Sequence, residues 1–354
     1  MPPSRNASLE DQPAGETDRA GWSTLAHEIF GPRARVLGVT TLKRSAGPSI
    51  VYRLRVADQA GKSRTLIAKR AAAGREGDPF DHQREARFLR LLAEAEFDIP
   101  RPYTYYAGPM AASGDWLAVV EDVSAAYRFP DATQPWGMDG LRPVLAAYAA
   151  FHARGTAALA ALGDREWLFP PYQERVEAVA AEMPALVDSL VAAGIWQPLP
   201  AFGALLERTL RELETSPGWG ATLVHNDVTP ANAGLPRGGQ GLAMLIDWEM
   251  VGSGPAELDL AYMFLQPFDN ARGVDRQAAL DCYWDARRTL EGLVASPAER
   301  AATQRRADAL LALWLVPVAA RRLLTPFPAG SSGRVYWDSM SGVLERRLHE
   351  LCRS

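Results

Sequence analysis

Cysteine is almost missing from this chain: Cys282 and Cys352 are the only two in 354 residues. Their separation excludes a disulfide framework and a cysteine-based metal site, and suits a reducing, cytoplasmic compartment. Lysine is nearly as scarce, with Lys43, Lys62 and Lys69 against 35 arginines, so each lysine merits inspection. No uninterrupted apolar run reaches the ~20 residues of a membrane span. The longest, ALLALWLVPVAA, contains Pro317 and is followed at once by Arg321 and Arg322. Strong positive charge is also lacking, and a net charge of −4 gives no global field for nucleic acid. The phosphate-cradling pattern G-x-x-x-x-G-K-[ST] does not occur, which excludes a P-loop NTPase. Residues 1–21 are polar, with no apolar segment of the kind a secretory signal carries, and read as a disordered tail. The expectation is a soluble cytoplasmic protein without a nucleic-acid or membrane partner.

What is present divides the chain in two. Its length exceeds that of one usual compact domain. From Val36 to Asp122 the stretches VLGVTTLKR, SIVYRLRVAD and RTLIAKRA alternate apolar and polar residues, with the turn DQAGK between the last two. DPFDHQREARFLRLLAEAE reads as one inserted helix, and PYTYYAG and WLAVVEDV as further strands. After Asp122 long Ala/Leu-rich amphipathic helices take over, among them LRPVLAAYAAFHARGTAALAAL and YQERVEAVAAEMPALVDSLVAAG. The reading is an α+β protein: a β-rich lobe over 22–122 and a larger, mostly helical lobe over 123–354.

One polar burst interrupts the helical part. LVHNDVTPANAG brings His225, Asp227 and Asn232 together, and a second apolar run, LAMLIDWE, ends on Asp247. Between Asn232 and Asp247 the turn signal RGGQG is flanked by AGLP and LAMLI, which predicts a hairpin. Counted from Gly239, Asn232 lies seven residues back and Asp247 eight forward, so both fall at the open end. An amide oxygen and a carboxylate there make a sparse hard-oxygen site. Mg²⁺ suits it, because that ion takes few protein ligands and completes its shell with water and phosphate. Asp227 enters the same hairpin from its loop. The residues also permit His225 with the two aspartates to be ligands of a hydrolytic metal centre.

H-N-D-V-T-P-A-N followed by I-D-W-E resembles the catalytic and metal-binding segments of the aminoglycoside phosphotransferase and choline kinase-like family, a distant relative of the protein kinases with their H-x-D-x-x-x-x-N and D-F-G. The resemblance spans about residues 36–265 and implies a protein-kinase-like fold. It implies Asp227 as catalytic base and Asn232 and Asp247 as holders of Mg²⁺ on the nucleotide phosphates. His225 would shape the loop without carrying a proton. The family's usual residue at 226 is Gly, where this chain has Asn.

Lys69 stands at the end of an apolar strand, as the lysine of V-A-I-K does in kinases. Glu85 shares the inward face of the inserted helix with Phe88 and Leu89, so Lys69–Glu85 is the natural pair, with Glu76 a competitor from the loop. KRSAGPSIVY sits where the family covers the phosphates, with Gly47 for close backbone approach and Ser49 as a donor. Pro48 removes an amide there, and a plain β turn is the other reading. The resemblance places the base of ATP or GTP against the backbone near Glu121 to Val123, and makes Asp259 a structural acid beneath the catalytic loop.

Asp259 follows Asp247 by only twelve positions, too few for a protein-kinase activation loop, and Asn226 occupies the place of the Arg in H-R-D; both features favour a small-molecule kinase over a protein kinase. The helical remainder would form the acceptor's cup. From Ala271 to Ser354 there are 13 Arg against 9 Asp and Glu, which speaks against a polycationic aminoglycoside. An antibiotic or other natural-product alcohol is the first expectation. A metabolic kinase for choline, homoserine or a sugar comes next, and a nucleotide-binding module without transfer activity after that.

Overall fold

The computed structural model describes residues 16–44, 49–71, 83–94, 99–110, 115–130, 136–169, 171–214, 221–265, 274–292, 296–325 and 332–353. The chain resolves into two compact units, Met1–Ala125 and Ala126–Ser354.

The first unit opens with helix α1 (Glu16–Phe30), then strands β1 (Arg35–Arg44), β2 (Ser49–Ala57) and β3 (Ser63–Ala71), helix α2 (Gln83–Glu94), and strands β4 (Thr104–Pro109) and β5 (Trp116–Glu121). The five strands form one antiparallel sheet in the order β1-β2-β3-β5-β4. Alternation sets its buried face: Tyr52, Leu54 and Val56 on β2, Leu66 and Ala68 on β3, and Leu117 and Val119 on β5 pack together. The β2–β3 turn is tied by the Asp58 carboxylate, which accepts from the Ala60 and Lys62 amides at 3.0 and 2.9 Å. Gly61 supplies the positive φ of 80° that the turn needs. α1 corrects the expected tail, because residues 16–21 are already helical. The physical reason follows one residue later, where Trp22 buries its ring against Tyr52 at 5.1 Å and anchors the helix to the sheet.

The second unit contains β6 (Tyr127–Arg128), α3 (Gly137–Ala161), α4 (Tyr172–Val179), α5 (Met183–Ala192), α6 (Phe202–Glu214), β7 (Ala221–Val224), β8 (Ala233–Pro236), β9 (Met244–Leu245), β10 (Gly252–Pro255), α7 (Glu257–Leu265), α8 (Arg276–Glu291), α9 (Pro297–Leu324) and α10 (Ser332–Arg353). The stretch read as one helix over 172–194 is two, because Pro184 lacks the amide a continuing helix would need and instead starts α5. The apolar run around Pro317 lies in α9, where Leu310 to Val316 are buried against α4, α5 and α10. No helix among the described residues is long and apolar enough to cross a membrane. α3 runs through the middle of this unit, with Leu141, Val144, Leu145, Tyr148, Phe151 and His152 buried, and packs against β7. That contact fixes the floor on which the polar burst stands.

Candidate active site

β7 ends at Val224, and the chain turns through His225, Asn226 and Asp227 before a single turn of 3-10 helix at Pro230–Asn232 leads into β8. Asn226 has a φ of 62°, a left-handed conformation that Gly adopts freely and Asn tolerates better than most residues. This accounts for Asn at a position where Gly is usual, and its side-chain Nδ2 adds a hydrogen bond to Met250 O at 3.0 Å. His225 is fully buried. Its Nε2 lies 3.0 Å from Ile246 O, and its Nδ1 accepts from the Asp227 amide at 3.3 Å. Those partners require the neutral Nε2–H tautomer, in keeping with burial, which pushes the imidazole below its usual pKa. With both nitrogens bonded to backbone, His225 has none left for a metal, and the hydrolytic reading is set aside on that ground.

The hairpin forms as the turn signal requires. Ala233 pairs with Leu245 and Gly234 with Met244, antiparallel, and the Ile246 amide donates to Asn232 O at 3.0 Å. Asn232 therefore faces the residue next to Asp247 across the open end. Asn232 Nδ2 donates to Asp227 Oδ2 at 2.7 Å and to Asp227 O at 3.1 Å. The amide nitrogen is thereby committed, and the amide oxygen is the atom Asn232 has for a cation. Tyr262 on α7 donates its hydroxyl to Asp227 Oδ1 at 3.3 Å. Asp227 is pushed up to about 7, first by lost solvation and then by the charges of Asp247 and Glu249. The mutual repulsion of Asp227, Asp247 and Glu249 is of the kind a divalent cation relieves, and carboxylate and amide oxygens are the hard donors Mg²⁺ takes, so the residue types fit that ion. Among the described residues no group of three or more His, Cys, Asp or Glu side chains is arranged around a common metal position. Asp247 itself takes a φ of 66°, which turns the chain sharply out of β9.

Beneath the loop, Asp259 on α7 is fully buried and is surrounded by donors. Its Oδ2 accepts from His225 N and its Oδ1 from Asn226 N, each at 2.8 Å, and His152 Nε2 on α3 lies 2.9 Å from Oδ2. The network continues outward: the Tyr283 hydroxyl lies 2.8 Å from His152 Nδ1, Arg287 donates to that hydroxyl at 2.8 Å, and Arg287 pairs with Glu291 at 2.6 Å. An ionised Asp259 takes the Nε2–H of a neutral His152, which leaves Nδ1 to accept from Tyr283. Burial drives the His152 pKa down in agreement with this assignment. Sequence reading missed His152, Tyr262, Tyr283 and Arg287. The available signals were a lone histidine inside an apolar helix, a tyrosine one turn past Asp259, and an i,i+4 Tyr–Arg pair, each of which also suits ordinary packing.

In the first unit, Lys69 Nζ lies 2.8 Å from Glu85 Oε2, the pairing expected over Glu76. Lys69 sits opposite Val51 on β2 and Ala118 on β5, in the middle of the ladder. Ser49 is buried as the first residue of β2, opposite Ala71 at the end of the β2–β3 ladder. Glu121 ends β5 with its amide committed to Tyr103 O at 2.9 Å, and Val123 starts a 3-10 turn. Gly47 lies outside the described residues. The structure thus groups Asp227, Asn232 and Asp247 in one unit and Lys69 and Glu85 in the other.

A sheet with an ion-paired lysine, and a helical unit with an acid-bearing loop and hairpin, define a kinase-like phosphotransferase. The sequence model of the APH phosphotransferase enzyme family matches residues 49–319, and the chain belongs to that family, whose members transfer phosphoryl groups from a nucleotide to hydroxyl acceptors. Among solved structures, a provisionally assigned aminoglycoside phosphotransferase of Ralstonia eutropha shares 16% identity over 94% of this chain and 98% of its own, with a TM-score of 0.66. Choline kinase LicA of Streptococcus pneumoniae shares 17% over 96% and 100%, TM-score 0.53. Amicoumacin kinase hAmiN, in complex with AMP-PNP, Ca²⁺ and Ami, shares 13% over 96% of each chain, TM-score 0.55. These likenesses establish the protein-kinase-like fold. No curated protein matches the sequence.

Proposed function

We propose that this protein transfers the γ-phosphoryl group of Mg-ATP or Mg-GTP to a hydroxyl of an antibiotic or other natural product, with choline, homoserine or sugar phosphorylation as the metabolic alternative. The observation that supports the reading is the hairpin register, in which Asn232 faces Ile246, the neighbour of Asp247, while Asn232 holds Asp227 by its amide. In this reading Asp227 takes the proton of the attacking hydroxyl. The acceptor oxygen bonds to the γ-phosphorus, the bond from that phosphorus to the bridging oxygen breaks, and the nucleoside diphosphate leaves with the electron pair. Asn232 and Asp247 would hold Mg²⁺, which when bound neutralises charge on the phosphates. Lys69, steadied by Glu85, would bind the phosphates. Gly47 and Ser49 would lie over them, and the backbone of Glu121 and Val123 would meet the base. Tyr262 and Asn232 orient Asp227 before substrate arrives, which is where most of such catalysis originates.

The left-handed Asn226 removes one motive for a non-catalytic nucleotide-binding module, since the loop keeps its shape without Gly. Incubating the protein with ATP or GTP and a panel of hydroxyl-bearing antibiotics and metabolites, with mass detection of the product, tests the activity. Asp227→Asn is expected to keep nucleotide affinity while lowering turnover at least roughly a hundredfold, as loss of a general base does. Undiminished turnover in that variant removes Asp227 from the chemistry.

A further inference from the structure

Helices α6 and α9 pack together in the second unit and leave a gap between them. On α6 the gap is lined by Leu205, Arg208, Thr209 and Glu212, and on α9 by Ala302, Arg305, Arg306 and Ala309. Each set runs i, i+3, i+4, i+7, which is one face of a helix. Leu351, in the last turn of α10, completes the lining. Two such faces ordinarily interdigitate into a close-packed seam. The α9 positions on either side of its arginines are alanines, too short to reach across. A cavity of about 400 Å³ remains, within the size range of small-molecule sites. None of its residues belongs to the catalytic loop, the hairpin or α7.

The charge of this cavity is one-sided. Three arginines face the single carboxylate of Glu212, a surplus of two positive charges. Other acids on the same helices are taken elsewhere: Glu207 pairs with Arg211 at 3.6 Å, and Asp308 holds Arg276 and Arg347. Among the described residues neither Arg208 nor Arg305 forms an ion pair. Arg208 Nη2 donates to Leu351 O at 2.9 Å, which ties the guanidinium to the end of α10. Its Nε and Nη1 make no bond among the described residues, so a fork already held at one corner keeps donors for a guest. Leu205 and Leu351 are buried and give the cavity an apolar wall. A guest that fills the space therefore needs an apolar body as well as negative charge. Guanidinium groups match phosphate oxygens in geometry. A phosphate monoester carries about −1.5 to −2 charges at neutral pH, close to the surplus of the lining.

We propose that the cavity between α6, α9 and α10 binds a small organic phosphate monoester, with Arg208 and Arg305 on the phosphate and Leu205 and Leu351 against the organic part. The site is separate from the phosphoryl-transfer reading above and stands or falls without it.

Calorimetric titration of the full chain tests this, with phenyl phosphate as the probe beside inorganic phosphate, benzoate and benzyl alcohol. Phenyl phosphate should bind saturably and more tightly than each of the other three. Arg305→Gln changes an exposed side chain that makes no bond among the described residues, so it should fold as the parent does. It should weaken phenyl phosphate at least roughly tenfold, the scale of one charge-assisted contact. Ala302→Leu fills the cavity without changing its charge and should abolish binding. Lys69→Gln, in the first unit, should leave the affinity as it is. The proposal is overturned if phenyl phosphate gives no saturable response, if any of the other three probes binds as tightly, or if either Arg305→Gln or Ala302→Leu matches the parent. Loss of binding in Lys69→Gln would overturn it too, because the phosphate would then sit at the lysine.

Discussion

In the first unit Lys69 is positioned by regular structure. It sits in β3 between β2 and β5, in a strand laddered on both sides, and Glu85 helps direct its ammonium. In the second unit residues 225–232 have no such ladder. The first three amides are satisfied by side chains: Asp259 takes those of His225 and Asn226, and His225 takes that of Asp227, while Thr229 and Asn232 donate within the loop's own backbone. A strand obtains its geometry from neighbours of almost any sequence, whereas an irregular loop obtains it from particular buried polar groups. The lysine end should therefore tolerate change in fold while losing binding, and the loop end should lose both together.

The strongest way to break that contrast is Asp259→Ala. It leaves the His225 and Asn226 amides and the His152 ring N–H without their acceptor in a dry interior. Each orphan costs about 1–3 kcal/mol, so destabilisation of several kcal/mol is expected, together with near-complete loss of activity. Denaturant titration and steady-state kinetics measure the two effects, and a folded, active variant would refute the account of the loop. Glu85→Gln is the opposite case. The Lys69–Glu85 pair is largely but not wholly buried. The neutral amide keeps an acceptor for Lys69 while weakening its hold, so stability should fall by less than in the Asp259 variant. The nucleotide KM should rise roughly tenfold, because the lysine must be held to serve the phosphates. A drop in stability equal to that of the Asp259 variant would erase the distinction between the two regions.

That difference also explains what the sequence made legible. Strand alternation identified β2, β3 and β5, and the DQAGK turn joined two of them, because period-2 burial and turn chemistry are local. The RGGQG turn predicted the hairpin, so the approach of Asn232 to Ile246, the neighbour of Asp247, could be counted out. The Asp227–Asn232 bond spans five residues and was within the same reach. The supports came from far away in sequence. His152 is 107 residues from Asp259, and Tyr283 is 131 from His152. No local pattern distinguishes such a histidine from a core one, and a tyrosine on an amphipathic helix looks like packing. The break between α4 and α5 was visible in Pro184, but the Ala/Leu periodicity on either side obscured it.

The intervention mildest for activity touches a link farther from the loop. Tyr283→Phe removes the hydroxyl that stands between Arg287 and His152 Nδ1. The ring still packs, and Asp259 keeps the loop amides, so activity should fall by less than roughly tenfold while stability drops by about 1–3 kcal/mol. pH sharpens the test. His152 and His225 are both held below their usual value, mainly by burial, so the fold keeps them neutral where the unfolded chain would protonate them. Below about pH 6.5 the unfolded state binds the extra protons, and stability must decline as pH falls, by up to about 1.4 kcal/mol per pH unit for each histidine. Above that value their contribution is fully present and level. Tyr283→Phe removes the donor that fills Nδ1, leaving His152 freer to take a proton there and keep Nε2–H on Asp259. Its folded-state pKa should therefore move back toward that of the unfolded chain, and the acid-side slope of the variant should be shallower than the parent's. Parallel slopes from denaturant titrations across pH 5 to 8 would mean that Tyr283 does not govern the protonation of His152, and that the network ends at Asp259.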